Sequence, residues 1–200
     1  ILNLSKFLKN WELTNIFIFY PSLRYYLSSK IAGIKNINCY PWFKKKNLHL
    51  VTSAKKFTEK VLNLENCPTE TVLQLDDQNL DKYKKDETKI ITLGVGSSGP
   101  TTKWGHDNYI LLINKLNTLG NFYFYLLCGP EEEEISSTII KNIKKNNCKS
   151  LSSIEISEVV YFISASSLYI GNDSFGHHIS CQRNIPSFVI ILDTPGAYTD

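Results

Sequence analysis

The chain has 200 residues, 42% hydrophobic, 12% aromatic and 20% charged, with a formal net charge of +3. That is room for one large domain or two small ones, with enough apolar material for a core. The mild charge, and a pair of arginines (Arg24 and Arg183) among many lysines, exclude the domain-wide basic face of a nucleic-acid reader. The five cysteines, Cys39, Cys67, Cys128, Cys148 and Cys181, are odd in number and lack C-x-x-C spacing. This argues against a disulfide framework or a zinc site and for a reducing compartment. No apolar run reaches transmembrane length, and no signal peptide is recognisable. Met is absent, even at position 1, and the chain stops just after an apolar strand, so a fragment lacking material at both ends is expected.

Residues 1–11 place Leu4, Phe7, Leu8 and Trp11 at i, i+3, i+4 and i+7, the spacing of an amphipathic helix. Residues 16–20 are an apolar run and predict a buried strand. A helix follows over 23–32, closed by Gly33, then a short strand over 37–40 and a loop over 41–47 carrying Lys44, Lys45 and Lys46. Residues 48–64 read as a helix with Val51, Ala54, Phe57, Val61 and Leu64 on one face. The pattern weakens over 65–89, which predicts a domain boundary with its linker near 81–88. Beyond it, strands are predicted over 90–95, 122–127, 168–170 and 188–192. Helices are predicted over 107–119 (capped by Asp107, ended by Gly120), after Pro130, along the face Ile156, Val159, Val160 and Ile163, and from His177. Strands alternating with helices imply α/β architecture, a parallel sheet covered on both faces.

Three loops leave the C-terminal ends of strands in the second half, where open α/β sheets bind ligands. The first, 96–106, is small and hydroxylated, with Ser98, Thr101, Thr102 and Lys103. It suits a phosphate through close amides and a lysine charge, or is simply a surface loop. Walker A spacing fails. Gly94, Gly96 and Gly99 do stand at G-x-G-x-x-G spacing, but Gly94 is still within the strand and no helix follows directly. The second loop opens a helix with Glu131 to Glu134: one of these carboxylates could accept ribose hydroxyls, and the rest complement the helix dipole. The third is Gly171-Asn-Asp-Ser-Phe-Gly-His-His178, a polar turn over 171–176 and a helix start. Either Asp173 or Ser174 caps that helix, or Ser174 and the amides through Gly176 cradle a phosphate with His178 as donor or acid/base. Asp173 reads as a turn organiser more than as a base, and His178 is preferred over His177 as the ligand contact.

With those loops in order, residues 90–200 resemble glycosyltransferase family nine, the heptosyltransferases of lipopolysaccharide core assembly. The likeness rests on Gly96–Trp104, on Leu127–Glu132, on Gly171–Ile179, and on Arg183–Pro186 followed by a strand and Asp193-Thr194-Pro195. The first half matches the later part of the family's acceptor domain less specifically, through residues 16–24 and Ala32-Gly-Ile-Lys35. The resemblance implies a GT-B fold of two Rossmann-like parallel-sheet domains: 1–85 a partial acceptor domain, 86–200 a donor domain truncated at its C-terminal end. It implies a nucleotide-sugar donor, ADP-heptose in the best-known members, and a lipid A core or other glycan acceptor at the inner face of the membrane. The protein would be cytoplasmic, or peripheral to the inner leaflet. It also maps the family's Asp-[Ser/Thr]-Gly-x-x-His motif onto Asp173, Ser174, Phe175, Gly176, His177 and His178, the phosphate lysine onto Lys103, and the ribose carboxylate onto Glu132 or Glu133. Phe175 departs from the family's usual Gly. Lys103 adjoins Trp104 where one residue commonly intervenes, so Thr102 is expected to share the phosphate role. The family's catalytic Asp belongs to a segment preceding Ile1, so the fragment is expected to bind donor weakly and not to turn over.

In this reading Lys103, the amides near Ser174 to Gly176 and His178 stabilise the charge that grows on the leaving diphosphate. His, Asp and Cys spacings suggest metal-independent transfer, and no cofactor is expected besides the nucleotide-sugar co-substrate. Arg24 and the 44–46 lysines face the acceptor or are ordinary surface charges. The alternatives are a nucleotide-binding domain without catalysis, and a dinucleotide redox fold, which the missing glycine fingerprint disfavours.

Overall fold

Alternation along two central strands organises the second half of the molecule. In the computed structural model, which describes residues 1–40, 49–85 and 87–192, β3 (Lys89–Gly94) and β4 (Phe122–Leu127) are buried through most of their length. Ile91, Leu93, Phe124 and Leu126 face one way, packing with Tyr109 and Ile113 of α5 (His106–Leu116) and Ile139 of α6 (Glu133–Asn142). Ile90, Tyr125 and Leu127 face the other way, against Val159, Phe162 and Ile163 of α7 (Ile156–Ser164) and Ile179 of α8 (Phe175–Gln182). Successive residues of a strand point to opposite faces, so a strand covered on both sides reads as a continuous apolar run.

All five strands of this sheet are parallel, in the order β5-β4-β3-β6-β7, with β5 at Cys148–Ser150, β6 at Leu168–Asn172 and β7 at Ser187–Ile190. Chain direction across the sheet reverses between β3 and β6, the topological switch point of a doubly wound fold. Strand β5 is not predicted by the sequence: its three residues, Cys-Lys-Ser, carry too little apolar signal, and pairing with β4 defines it.

The chain divides into two compact units between Thr69 and Glu70. The sequence places this boundary at 85/86, but the polar stretch after Glu70 belongs with the second unit. There α4 (Asp77–Leu80) and a 3-10 turn over Asp81–Tyr83 set the Tyr83 ring 4.7 Å from that of Phe162 and stacked at 5.5 Å on Tyr161. The Tyr125 hydroxyl donates to the Tyr83 carbonyl at 3.0 Å. A few aromatic anchors hold a segment whose composition reads as linker.

The first unit contains α1 (Leu2–Lys9), β1 (Asn15–Ile18), α2 (Leu23–Ile31), β2 (Asn36–Cys39) and α3 (Leu50–Leu62), with β1 and β2 parallel. Ser22 caps α2 by accepting from the Tyr25 amide, and Gly33 takes a positive φ of 85° after its C-terminus, as the sequence predicts. The expected burial of 16–20 does not hold. Only Ile18 is buried, while Phe17 and Phe19 are 39% and 50% exposed. A strand covered on one face buries alternate residues. Phe7 and Trp11 are likewise exposed, and Leu4 and Leu8 alone of their stripe are half-buried. The Lys44–Lys46 run and the Asp193-Thr194-Pro195 motif lie outside the described residues. All five cysteines are free thiols.

Candidate functional site

Strands β4, β3 and β6 are neighbours, so the loops after them emerge side by side at one sheet edge. The β3–β6 register pairs Gly94 with Gly171. A Cβ on Gly171 would lie 2.5 Å from the Gly94 Cα and N, so only glycine permits this close approach at the switch point. Gly94, for its part, leaves the room that the ring of Tyr169 fills; Tyr169 is fully buried, and its hydroxyl donates to the Asn172 carbonyl at 2.9 Å and lies 3.4 Å from Ser174 Oγ. Burial pushes the Tyr169 phenol up to about 12, so it stays protonated and serves as a donor.

Glu132 is the centre of the site. It ends a 3-10 turn over Pro130–Glu132, and its side chain turns back to the start of that turn. One carboxylate oxygen accepts the Ser97 amide at 3.1 Å and lies 2.6 Å from Lys103 Nζ; the other accepts the Gly129 amide at 3.2 Å. Burial raises the carboxyl's pKa, but the Lys103 hydrogen bond, the two amides and the Lys103 charge outweigh it and hold it below the ordinary value. Of the acidic residues after β4, the fold brings Glu132 to the first loop; Glu133 opens α6 as an exposed residue.

The 96–104 loop is ordered from within. The hydroxyls of Ser97 and Thr102 are 2.6 Å apart, and Thr102 donates to the Gly99 carbonyl at 2.9 Å. Ser98 and Thr101 are exposed. Ser97, whose amide is fixed on Glu132, goes unnoticed in the sequence beside Ser98; two adjacent serines carry no signal of which one turns inward. Past the loop, Gly105 stands at the N-cap of α5 with φ 95°, and Asp107 is the helix's second residue, not its cap: the left-handed glycine starts the helix earlier than the sequence predicts.

The third loop is shorter than expected. Strand β6 continues through Asn172, and α8 starts at Phe175, so Asp173 and Ser174 alone connect them. Ser174 holds the N-cap position without a side-chain cap bond. Phe175 and Gly176 are the first helical residues, where amides have no acceptor within their own helix. Gly176 is buried, and a Cβ there would strike Leu127 and Tyr169. His178 is exposed on the first turn of α8. His177 is half-buried, 3.5 Å from the Cys181 sulfur; burial and the neighbouring His178 lower its pKa. Asn172, also unpredicted, is fully buried and joins the first loop to the third. Arg24 lies in the first unit, exposed on the first turn of α2. Among the described residues no three His, Cys, Asp or Glu side chains group as metal ligands, and no helix is long and apolar enough to cross a membrane.

A doubly wound parallel sheet with a lysine, a carboxylate and helix-terminal amides at its switch point defines an α/β protein with a polar ligand site at the carboxyl ends of its strands. Residues 39–190 match the sequence model of glycosyltransferase family 9 (heptosyltransferase), and the chain belongs to that family. The fold is of the GT-B class, as three solved structures indicate. Escherichia coli ADP-heptose lipopolysaccharide heptosyltransferase II superposes with TM-score 0.78 at 17% identity, over 98% of this chain and 67% of that one. A family 9 glycosyltransferase of Veillonella parvula DSM 2008 gives 0.74 at 12%, over 93% and 60%. E. coli heptosyltransferase WaaC with ADP gives 0.65 at 16%, over 92% and 54%. The chain thus spans between about half and two thirds of these relatives' lengths. Comparison with curated proteins gives no match.

Proposed function

We propose that this chain belongs to a glycosyltransferase that moves a sugar, heptose from ADP-heptose, onto the lipopolysaccharide inner core or a related cell-surface glycan, with its second unit binding the donor and its first unit a partial acceptor domain. The observation that carries this reading is the meeting of Lys103, Glu132 and the first turn of α8 at one sheet edge. Family membership supports it, as do the solved WaaC structures with ADP and with ADP-2-deoxy-2-fluoro heptose.

The chemistry assigns the parts. When the sugar leaves, negative charge grows on the nucleoside diphosphate. Lys103 meets it as a point charge, and the Phe175 and Gly176 amides meet it at the positive end of the α8 dipole. His178, on the same turn, is the residue proposed to donate to the leaving phosphate. Ser98, Thr101 and Thr102 offer hydroxyls on the same side, and Glu132 accepts from the ribose. Asp173 shapes the turn. Arg24 is assigned to an anionic acceptor, and the protein works at the cytoplasmic face of the inner membrane.

The test is calorimetry with ADP, GDP and UDP, followed by transfer assays in the full-length protein. Lys103→Ala should weaken ADP binding, and His178→Ala should slow sugar transfer more than it weakens acceptor binding. Unchanged ADP affinity in the first variant would sink the diphosphate assignment. Intact nucleotide binding without any transfer by the full-length protein would leave a binding domain in place of an enzyme.

A further inference from the structure

Asn172 stands between two loops that the proposed donor must touch together. It is the last residue of β6 and is fully buried. Its side-chain oxygen accepts the Trp104 amide at 3.1 Å, and its NH2 donates to the carbonyls of Val95 at 3.2 Å and Gly96 at 3.4 Å. Val95 and Gly96 open the first loop, and Trp104 closes it directly after Lys103. One primary amide therefore pins both ends of the Lys103 loop, and the next residues, Asp173 and Ser174, lead into α8. Its own carbonyl is held by Tyr169.

No other side chain of this size serves these groups. The site needs an acceptor for one amide and donors for two carbonyls, which a carboxamide supplies and a carboxylate or an alkyl group does not. A carboxylate would accept from Trp104 but would face the two carbonyl oxygens with negative charge; an apolar residue would leave buried polar groups unpaired. We propose that Asn172 is a positioning residue for the donor, acting through Lys103 by fixing the span and height of its loop against the first turn of α8. This rests on the reading of the site as a nucleoside-diphosphate site.

The test is a double-mutant cycle on the whole chain, with ADP and adenosine as ligands. Asn172→Ala should lower ADP affinity about tenfold, the cost of loosening one charged contact, and leave adenosine affinity unchanged. In a Lys103→Ala background the same substitution should cost ADP nothing more, because the contact it positions is already gone. Additive losses, or an equal loss for adenosine, would overturn the proposal, since a merely structural role predicts both. Thermal unfolding monitors the fold; should Asn172→Ala not fold, Asn172→Ser keeps a hydroxyl able to serve part of the same set and carries the same comparison. If the unaltered chain binds no ADP at all, the donor reading itself fails and takes this proposal with it. ADP binding with an additive cycle sinks the proposal alone.

Discussion

Replacing Glu132 with Gln keeps the shape of the side chain and removes its charge. Glu132 holds Lys103 at 2.6 Å and accepts amides at 3.1 and 3.2 Å, with side chains 18% and 30% exposed for Glu132 and Lys103. A hydrogen bond to a charged group contributes about 1.5–3 kcal/mol when buried. Partial exposure discounts this, and a net stability loss of about 1–2 kcal/mol is expected for Glu132→Gln. The ligand effects run in opposite directions. In the unaltered protein a phosphate must compete with Glu132 for Lys103. Releasing that lysine should strengthen pyrophosphate binding by about 1 kcal/mol, roughly fivefold. Adenosine, which needs an ionised acceptor for its ribose hydroxyls, should bind more weakly. Titration calorimetry of both ligands, at one fixed ionic strength, reads the two arms. The sign of the pH effect follows from the depressed carboxyl: its contribution is complete above the unfolded carboxylate's pKa and fades as pH falls through the folded value. Pyrophosphate affinity of the unaltered protein should therefore gain on that of Glu132→Gln as the solution is acidified. If Glu132→Gln leaves pyrophosphate binding unchanged or weakens it, Glu132 does not restrain Lys103 and the reasoning fails.

Two further outcomes are expected. Gly171→Ala forces a methyl to within 2.5 Å of the Gly94 backbone and should destabilise the second unit by about 1–3 kcal/mol, read as a lowered Tm; an unchanged Tm would mean that β3 and β6 have room to part. His177 should titrate below the ordinary imidazole range in NMR, because burial and His178 disfavour its cation. With a depressed folded pKa its contribution to stability is whole above the unfolded imidazole's pKa and shrinks as pH falls below it. Stability should accordingly fall less on acidification in His177→Gln; an ordinary titration of His177 would contradict its burial.

Much of the architecture is legible in the residues because it is local. The run at 90–95 is mostly apolar and rich in β-branched residues, and that at 122–127 is aromatic and apolar; both read as strands covered on both faces, and the structure places them at the sheet's centre. Ser22 and Gly33 bound α2 by cap chemistry that needs no partner beyond the helix. What escapes is contact-made. Three polar-leaning residues become β5 by pairing with β4, and a polar stretch after Glu70 joins the second unit through Tyr83.

The site divides along the same line. Strand, small polar loop and helix start are written in the sequence around Lys103, Glu132 and Ser174, because turn residues and apolar periods act over a few positions. Which neighbouring residue turns inward is decided by strand order. With β4, β3 and β6 adjacent, Glu132 and not Glu133 meets Lys103, Ser97 and not Ser98 gives its amide, and Asn172 finds three backbone partners on a loop more than sixty positions earlier in the chain. Those contacts join segments remote in sequence, and only the packed sheet brings them within hydrogen-bond reach.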